Sequence, residues 1–356
     1  MKEAAERWSN VYSWQQRAHS IKNGIIRGSE WDRMPDKTLV PNVIRHSAKK
    51  MDGYIVENVA IESFDGFYVT GNIYRPIEAK GKLPLVLCPH GHWNQPGDIG
   101  RWRADMQRRC SMLARMGAIV FAYDLVGYAE STQVTHQIPI AFALQLWNGK
   151  RALDYFLARP DVDPERVAIT GASGGGTQSF MLTALDDRIK VSVPVVMVSA
   201  HFFGGCVCES GMPVHRGEKH QTNNVEIAGL AAPRPMLLIS DGGDWTSNNP
   251  QIEYPYLRRI YDAYELPHLL DHVHFPAGRH DYGYDKRAVM YNFLQKHLDL
   301  KVDSILFNSE EGRYDENFIK LLPEDALRVF DDQHPRPSTA LKGDESVIEA
   351  FERLKK

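Results

Sequence analysis

An α/β architecture with a mostly parallel central sheet, covered by helices on both faces, is what the sequence predicts from about residue 83 onward. Three observations carry it. Short, continuous, β-branched apolar runs at 83–88, 118–123, 167–170, 191–198 and 235–240 have the composition of strands buried on both sides. Helical stretches alternate with them, at 102–116, which is amphipathic, and at 141–158, 177–185, 254–264 and 286–298. Each of the runs ends in a glycine-, aspartate- or proline-rich loop, where a strand of a parallel sheet hands over to its crossover.

In chain order, residues 8–50 read as helical or irregular, with Trp14, Ile21, Ile25 and Trp31 as apolar anchors of an N-terminal extension over 1–52. Residues 54–63 and 67–77 form two strands across Asp65-Gly66, an Asp-Gly hairpin signal. The alternating part occupies 53–300 and includes an irregular insertion at 199–229, rich in glycine, cysteine and histidine; a polar tail over 301–356 has weak helices at 324–330 and 345–354. The tail is expected to cover an edge of the sheet or to mediate self-association.

Composition excludes several classes of function. Of 356 residues, 43% are hydrophobic and 24% charged, the proportions of a globular chain with a full core. A net charge of -3 gives no electrostatic reason for a nucleic acid or an anionic membrane as partner. Arginines 101, 103, 108, 109 and 115 fall on several faces of one predicted helix and are expected to be solvated and salt-bridged. No apolar run is long enough to span a bilayer, and the first residues lack a signal-peptide core, so the chain is expected to be cytoplasmic, or secreted or periplasmic with a leader removed.

Chemistry concentrates in Val167-Ala168-Ile169-Thr170-Gly171-Ala172-Ser173-Gly174-Gly175-Gly176-Thr177. A strand, a sharp turn and a helix around Gly171-x-Ser173-x-Gly175 match the nucleophile elbow, which holds a serine on a strained turn above the sheet. Its glycines leave out the Cβ atoms that would collide with the neighbouring strand and helix. The N–H of Gly174 then points to where a carbonyl oxygen becomes an oxyanion. A serine needs a base, normally a histidine oriented by a carboxylate. In a parallel sheet those groups come from loops at the carboxyl ends of other strands. Two loops qualify: Asp241-Gly242-Gly243-Asp244-Trp245, and Pro276 to Tyr282 with His280 and Asp281.

The order Ser173, acid, His280, with the elbow and the interleaved helices, resembles the α/β-hydrolase family over roughly residues 54–300. In that family's pattern the acid follows a glycine-containing turn a few residues past its strand, which favours Asp244 over Asp241; Asp281 is expected to cap the next helix. The pattern also places a second oxyanion donor after the strand at 83–88, making the His92 N–H the candidate, with His90 bracing that loop. Segments 85–93, 124–131 and 161–164 look like the bacterial acetyl-xylan-esterase-like branch, and the insertion at 199–220 resembles that of its uncharacterised esterase-like members.

What the resemblance implies is a serine carboxylesterase that releases small acyl groups, above all acetyl, from a small-molecule or oligosaccharide ester without a cofactor. Rival readings are a peptidase or amidase of the prolyl-oligopeptidase type and a non-catalytic binding protein of the same fold. The first rival normally carries a propeller, which some 50 N-terminal residues cannot build. Trp93, Trp102 and Trp245 lie near the predicted rim and suit stacking on a sugar; Cys208 and Glu209 are candidates for bordering the pocket. No metal is expected, because Cys206, Cys208, Glu209, His215 and His220 fit no common zinc-finger spacing. Cys88 and Cys110 fall in predicted core elements. A homo-oligomer is the expected assembly.

Overall fold

The computed structural model describes residues 1–33, 40–217 and 220–354; residues 34–39 of the N-terminal extension, 218–219 of the insertion and the last two of the tail lie outside it. Nine strands form one sheet: β1 Val43–Lys50, β2 Tyr54–Phe64, β3 Phe67–Pro76, β4 Leu83–Pro89, β5 Ile119–Tyr123, β6 Val162–Ala172, β7 Val191–Val195, β8 Met236–Asp241 and β9 Leu270–Phe275. Their spatial order is β1-β2-β3-β5-β4-β6-β7-β8-β9. The first three strands and the β3/β5 pair are antiparallel, and every pair from β5 to β9 is parallel.

The apolar runs work as the sequence predicts, and the period of two explains how. Along β4, Leu85 and Leu87 enter one hydrophobic layer while Val86 and Cys88 enter the other; β5 divides likewise, with Ile119 and Phe121 against Val120 and Ala122. One layer is closed by helices α1 Val11–Gly28, α3 Ala141–Leu157 and α4 Gly174–Leu185, the other by α2 Ala104–Arg115 and α8 Tyr284–Leu298. Crossovers therefore leave the parallel strands at one edge, and all the chemistry described below lies on loops at that edge.

Two expectations change. Residues 43–50, expected to be helical or irregular, are the edge strand β1, paired with β2 from Val43↔Ile61 to Lys50↔Ile55. Its side chains are half-buried or exposed and none is buried, as in an edge strand that meets water. The arginines are not all solvated: Arg101 is 0% and Arg109 1% exposed. Arg101 lies before α2, pairs with Asp124 and, at 2.7 Å, with Glu130, and donates to Asn72 and to the Leu327 carbonyl; Arg109 stacks over Tyr282 at 4.3 Å. The Arg101 guanidinium persists in full burial because its donors are met by carboxylates and carbonyls.

That network also fixes the tail. Glu130 accepts the N–H groups of Val329 and Phe330, and Asn58 and Asn72 donate to carbonyls of residues 326–328, so the tail lies across β2 and β3. Helix α9 Asp344–Arg353 places Val347 and Phe351 among Phe64, Phe67 and Trp147. The tail thus covers the face of the antiparallel strands. Trp102 is withdrawn from the rim: it is 9% exposed, packed in the core layer beneath α2 and lies under the guanidinium of Arg328. Cys88 and Cys110 are buried, as expected.

Candidate active site

Strand β6 ends at Ala172 and α4 begins at Gly174, leaving Ser173 alone on the turn with φ 57° and ψ -125°. That backbone conformation is costly for a residue with a Cβ, and it turns the side chain out of the sheet edge. Neighbours hold it: the Ser173 N–H donates to Val195 O at 3.1 Å, and Ser173 O accepts the Thr177 N–H at 3.0 Å, the first turn of the helix. A Cβ on Gly175 would meet Pro89 O at 2.4 Å, so the helix approaches β4 only because glycine stands there.

After β8 the two aspartates part company. Asp241 is fully buried, receives Lys286 Nζ at 2.8 Å and accepts the Gly243 N–H at 3.0 Å. Asp244 accepts from Thr246, N–H at 2.7 Å and hydroxyl at 2.6 Å, and its other oxygen accepts from His280 Nδ1 at 2.5 Å. That bond assigns the proton to Nδ1 and leaves the His280 Nε2 lone pair free. Asp281 accepts the Gly283 N–H and pairs with Lys286 at 3.0 Å; the residue preceding α8 is Gly283, so Asp281 braces the approach to the helix and does not cap it.

Ser173 and His280 line one cavity of about 430 Å³, with Asp244 behind His280. No hydrogen bond joins Ser173 Oγ to His280 among the described residues, and such bonds often tighten only around substrate. The loop after β4 presses on the serine: a Cβ on Gly91 would stand 2.8 Å from Ser173 Cβ. His90 braces that loop from inside, donating from Nδ1 to Gly91 O at 2.7 Å and accepting the Leu125 N–H at 3.0 Å. The His92 ring lies over the first turn of α4, 2.7 Å from where a Cβ on Gly174 would be.

Aromatic rings form one wall. Trp245 packs on His280 with ring centres 4.5 Å apart, Phe202 on Trp245 at 4.1 Å, and Trp93 is near-parallel to His280 at 6.0 Å. Trp93 and Trp245 are thus on the cavity as expected. Glu209 also borders it, buried, accepting the Gly205 N–H at 2.8 Å and the Thr177 hydroxyl at 3.2 Å; burial raises its carboxyl pKa. Cys208 is a correction: it is 3% exposed and sits behind the lining, where Cys206 takes the cavity position.

At the same cavity the chain gathers residues that sequence spacing did not connect. His92, His136, Cys206 and Cys208 bring one nitrogen or sulfur each to within 4.8 Å of one another. His92 Nε2 lies 3.0 Å from Cys208 Sγ and 3.1 Å from Cys206 Sγ. The hydrogen bond from Cys208 and those from His136 and His92, against burial, pull the Cys206 thiol down, while burial pushes Cys208 well up. Burial pulls His92 down, but the Cys206 contact and the Glu209 carboxylate outweigh it and raise its pKa. His215 and His220 turn away, to Asn224 and to Val214 O. His136, unmarked in the sequence, is the residue spacing missed.

No family model matches the chain. A solved structure named Methylesterase BT1017 is 38% identical, covers 99% of this chain and 79% of that one, and superposes with a TM-score of 0.89. A glucuronoyl esterase from Solibacter usitatus is 16% identical over 81% of this chain and 94% of its own, with a TM-score of 0.62, a likeness of fold. In Bacillus subtilis (strain 168), the protein named "Putative hydrolase YtaP" is 33% identical over 188 residues, 46% of this chain; the chain spans 62% of that relative.

Proposed function

The chain belongs to the α/β-hydrolase superfamily, in its esterase-like branch, and from that premise we propose that it is a serine carboxylesterase whose nucleophile is Ser173. Ser173 Oγ attacks the ester carbonyl while His280 Nε2 takes its proton. Asp244 holds the imidazole through Nδ1–H and stabilises the imidazolium that forms. The N–H groups of Gly174 and His92 receive the oxyanion, a pair in which each donor is typically worth about 10² to 10³ in rate. His280 returns the proton to the departing alcohol, then activates a water that releases the acid from Ser173. The observation that carries this reading is the His280–Asp244 hydrogen bond of 2.5 Å beside a serine held at φ 57° on the same cavity.

For the substrate we propose the methyl ester of a sugar carboxylate. The support is the 38% identity across 99% of the chain to a methylesterase. A cavity of about 430 Å³ is of the size that takes a sugar unit, and Trp93 and Trp245 offer ring faces to it. Acetyl esters, which the sequence resemblance favours, are the second reading, and the two differ in which fragment is bonded to Ser173. With a methyl uronate the sugar becomes the acyl-enzyme and methanol leaves. With an acetylated sugar, acetyl stays and the sugar leaves.

Methanol released from a methyl-esterified uronate oligosaccharide, measured beside acetate released from acetylated xylo-oligosaccharide, decides between them. Ser173-dependent methanol exceeding acetate is the expected result. Acetate released faster would replace the methyl reading with the acetyl one. Turnover of a peptide amide with neither ester cleaved would favour the peptidase rival, and no turnover of any of them the binding-protein rival.

A further inference from the structure

One part of the cavity lining, with Cys208 behind it, has the composition of a metal site. His92 follows β4, His136 lies in the segment after β5, and Cys206 and Cys208 come from the insertion after β7. The chain thus brings two imidazoles and two thiols from three separate segments to one point, and nothing in the ester chemistry above uses the thiols. We propose that His92 Nε2, His136 Nε2, Cys206 Sγ and Cys208 Sγ bind one zinc ion.

Donor type comes first. Two sulfurs with two imidazole nitrogens are a soft, tetrahedral set that selects zinc over the oxygen-seeking cations. Spacing agrees. Donors about 2.0 to 2.3 Å from a common ion lie roughly 3 to 4 Å from each other. Here His92 Nε2 is 3.0 and 3.1 Å from the two sulfurs and His136 Nε2 is 3.4 Å from Cys206 Sγ, while the sulfurs, 2.9 Å apart, must open by roughly 1 Å to share the ion.

The surroundings are those of a ligand set. His136 Nδ1 donates to Val126 O at 2.6 Å, which fixes the tautomer and leaves Nε2 as the lone-pair nitrogen facing the sulfurs. Glu209, anchored by the Gly205 N–H and the Thr177 hydroxyl, stands 3.8 Å from Cys206 Sγ as an outer carboxylate. Binding sends the two thiol protons to solvent, so Zn²⁺ and two thiolates enter this half-buried wall with no net charge. Four protein ligands complete the coordination shell, which makes the ion a clamp with no open position for substrate.

The clamp has a place in the reaction proposed above, on which this consequence alone rests. His92 is held by its ring while its backbone N–H is the second oxyanion donor. Loss of the ion frees the loop that presses on Ser173, and removes at most what one donor supplies, about 10² to 10³ in kcat, with KM little changed. His136 and the cysteines are therefore positioning residues.

The test is elemental analysis of tag-free protein purified without chelator. The expected result is one zinc per chain, retained through dialysis in wild type and equally in Ser173→Ala, and lost in Cys206→Ser and His136→Ala. Reconstitution of the chelator-stripped protein with cobalt under reducing conditions should give a thiolate-to-cobalt charge-transfer band and the strong visible bands of a tetrahedral ion. Both should be absent from the double variant Cys206→Ser/Cys208→Ser. A wild-type protein that binds neither zinc nor cobalt after reduction overturns the proposal, whatever the variants do. So does a thiol titration in denaturant that finds only two of the four cysteines free before reduction, together with failure of the reduced protein to take up metal. Because metal content is read on Ser173→Ala as well, an inactive protein that holds zinc refutes the esterase reading alone.

Discussion

The two walls of the cavity are built on different principles. On one, His280 donates to Asp244, which also accepts from Thr246, and Ser173 stands on a strained turn at the same cavity. On the other, four soft donors converge on one point, with the His136 ring pinned from behind by Val126 O. In the reading proposed above the first arrangement moves a proton; the second is suited to hold something still. The lesson is that polar groups crowded in one cavity need not share one job: direction and partner, more than proximity, separate reacting groups from those that brace them.

The comparison predicts a graded set of losses. Ser173→Ala should lower kcat/KM by about 10⁴ to 10⁶, leaving only what oxyanion donors and binding supply. Steady-state hydrolysis of a methyl uronate checks it, and a loss of tenfold or less would move the nucleophile elsewhere. Asp244→Asn should cost about 10⁴ in kcat, because the amide favours the wrong imidazole tautomer. Asp241→Asn instead leaves Lys286 without its buried carboxylate and should act on stability, so equal kinetic losses in the two variants would break the distinction drawn between them.

Below these stands Asp124, held in its charged form. Burial raises its pKa, but Arg101, His90 and Thr70 outweigh that and lower it overall. A folded-state pKa below the unfolded one means stabilisation that is present above the unfolded value and lost as pH falls through the folded one. Asp124→Asn should therefore lower stability by about 3 to 5 kcal/mol at neutral pH, the usual result of unpairing a buried guanidinium, and by less in acid. Denaturant melts at pH 7 and near pH 2, below the ordinary carboxylate value of about 4, read both, and an equal loss at the two would contradict the sign. Smallest is Trp245→Ala, where the loss of about 1 kcal/mol of ring contact should raise KM five- to tenfold with kcat little changed. A fall in kcat alone would make Trp245 a support for His280 and not a platform for the sugar.

How much of this was legible in the sequence depended on whether the signal was local. Ser173, Asp244 and His280 each stand just past an apolar run in a glycine-bearing loop, so strand, turn and residue type are read together within about ten positions. The parallel strands were legible for the same reason: burial on both faces removes polar residues from the whole run. Strand β1 was not, because Arg45, His46, Ser47 and Lys49 at the open edge break the apolar pattern. Arg101 and Arg109 read as surface residues because their carboxylate and aromatic partners come from other parts of the chain, as at Asp124, Glu130 and Tyr282.

The four donors were missed for a related reason. Searching Cys206, Cys208, His215 and His220 for a spacing within one segment gave no pattern, because two of the donors lie in loops some 70 and 114 residues earlier. The available signal was weaker and different in kind: histidines in the loops after two neighbouring strands, and a Cys-x-Cys on an insertion at the same rim.

The central claim is that Ser173, and not the Cys206 thiol on the same cavity, is the nucleophile. Incubation with a fluorophosphonate followed by peptide mass spectrometry tests it directly. The account predicts one adduct per chain on the peptide carrying Ser173, absent in Ser173→Ala, slowed in Asp244→Asn and unaffected by Trp245→Ala. An adduct on the Cys206 peptide, or ester turnover that survives Ser173→Ala unchanged, would contradict it.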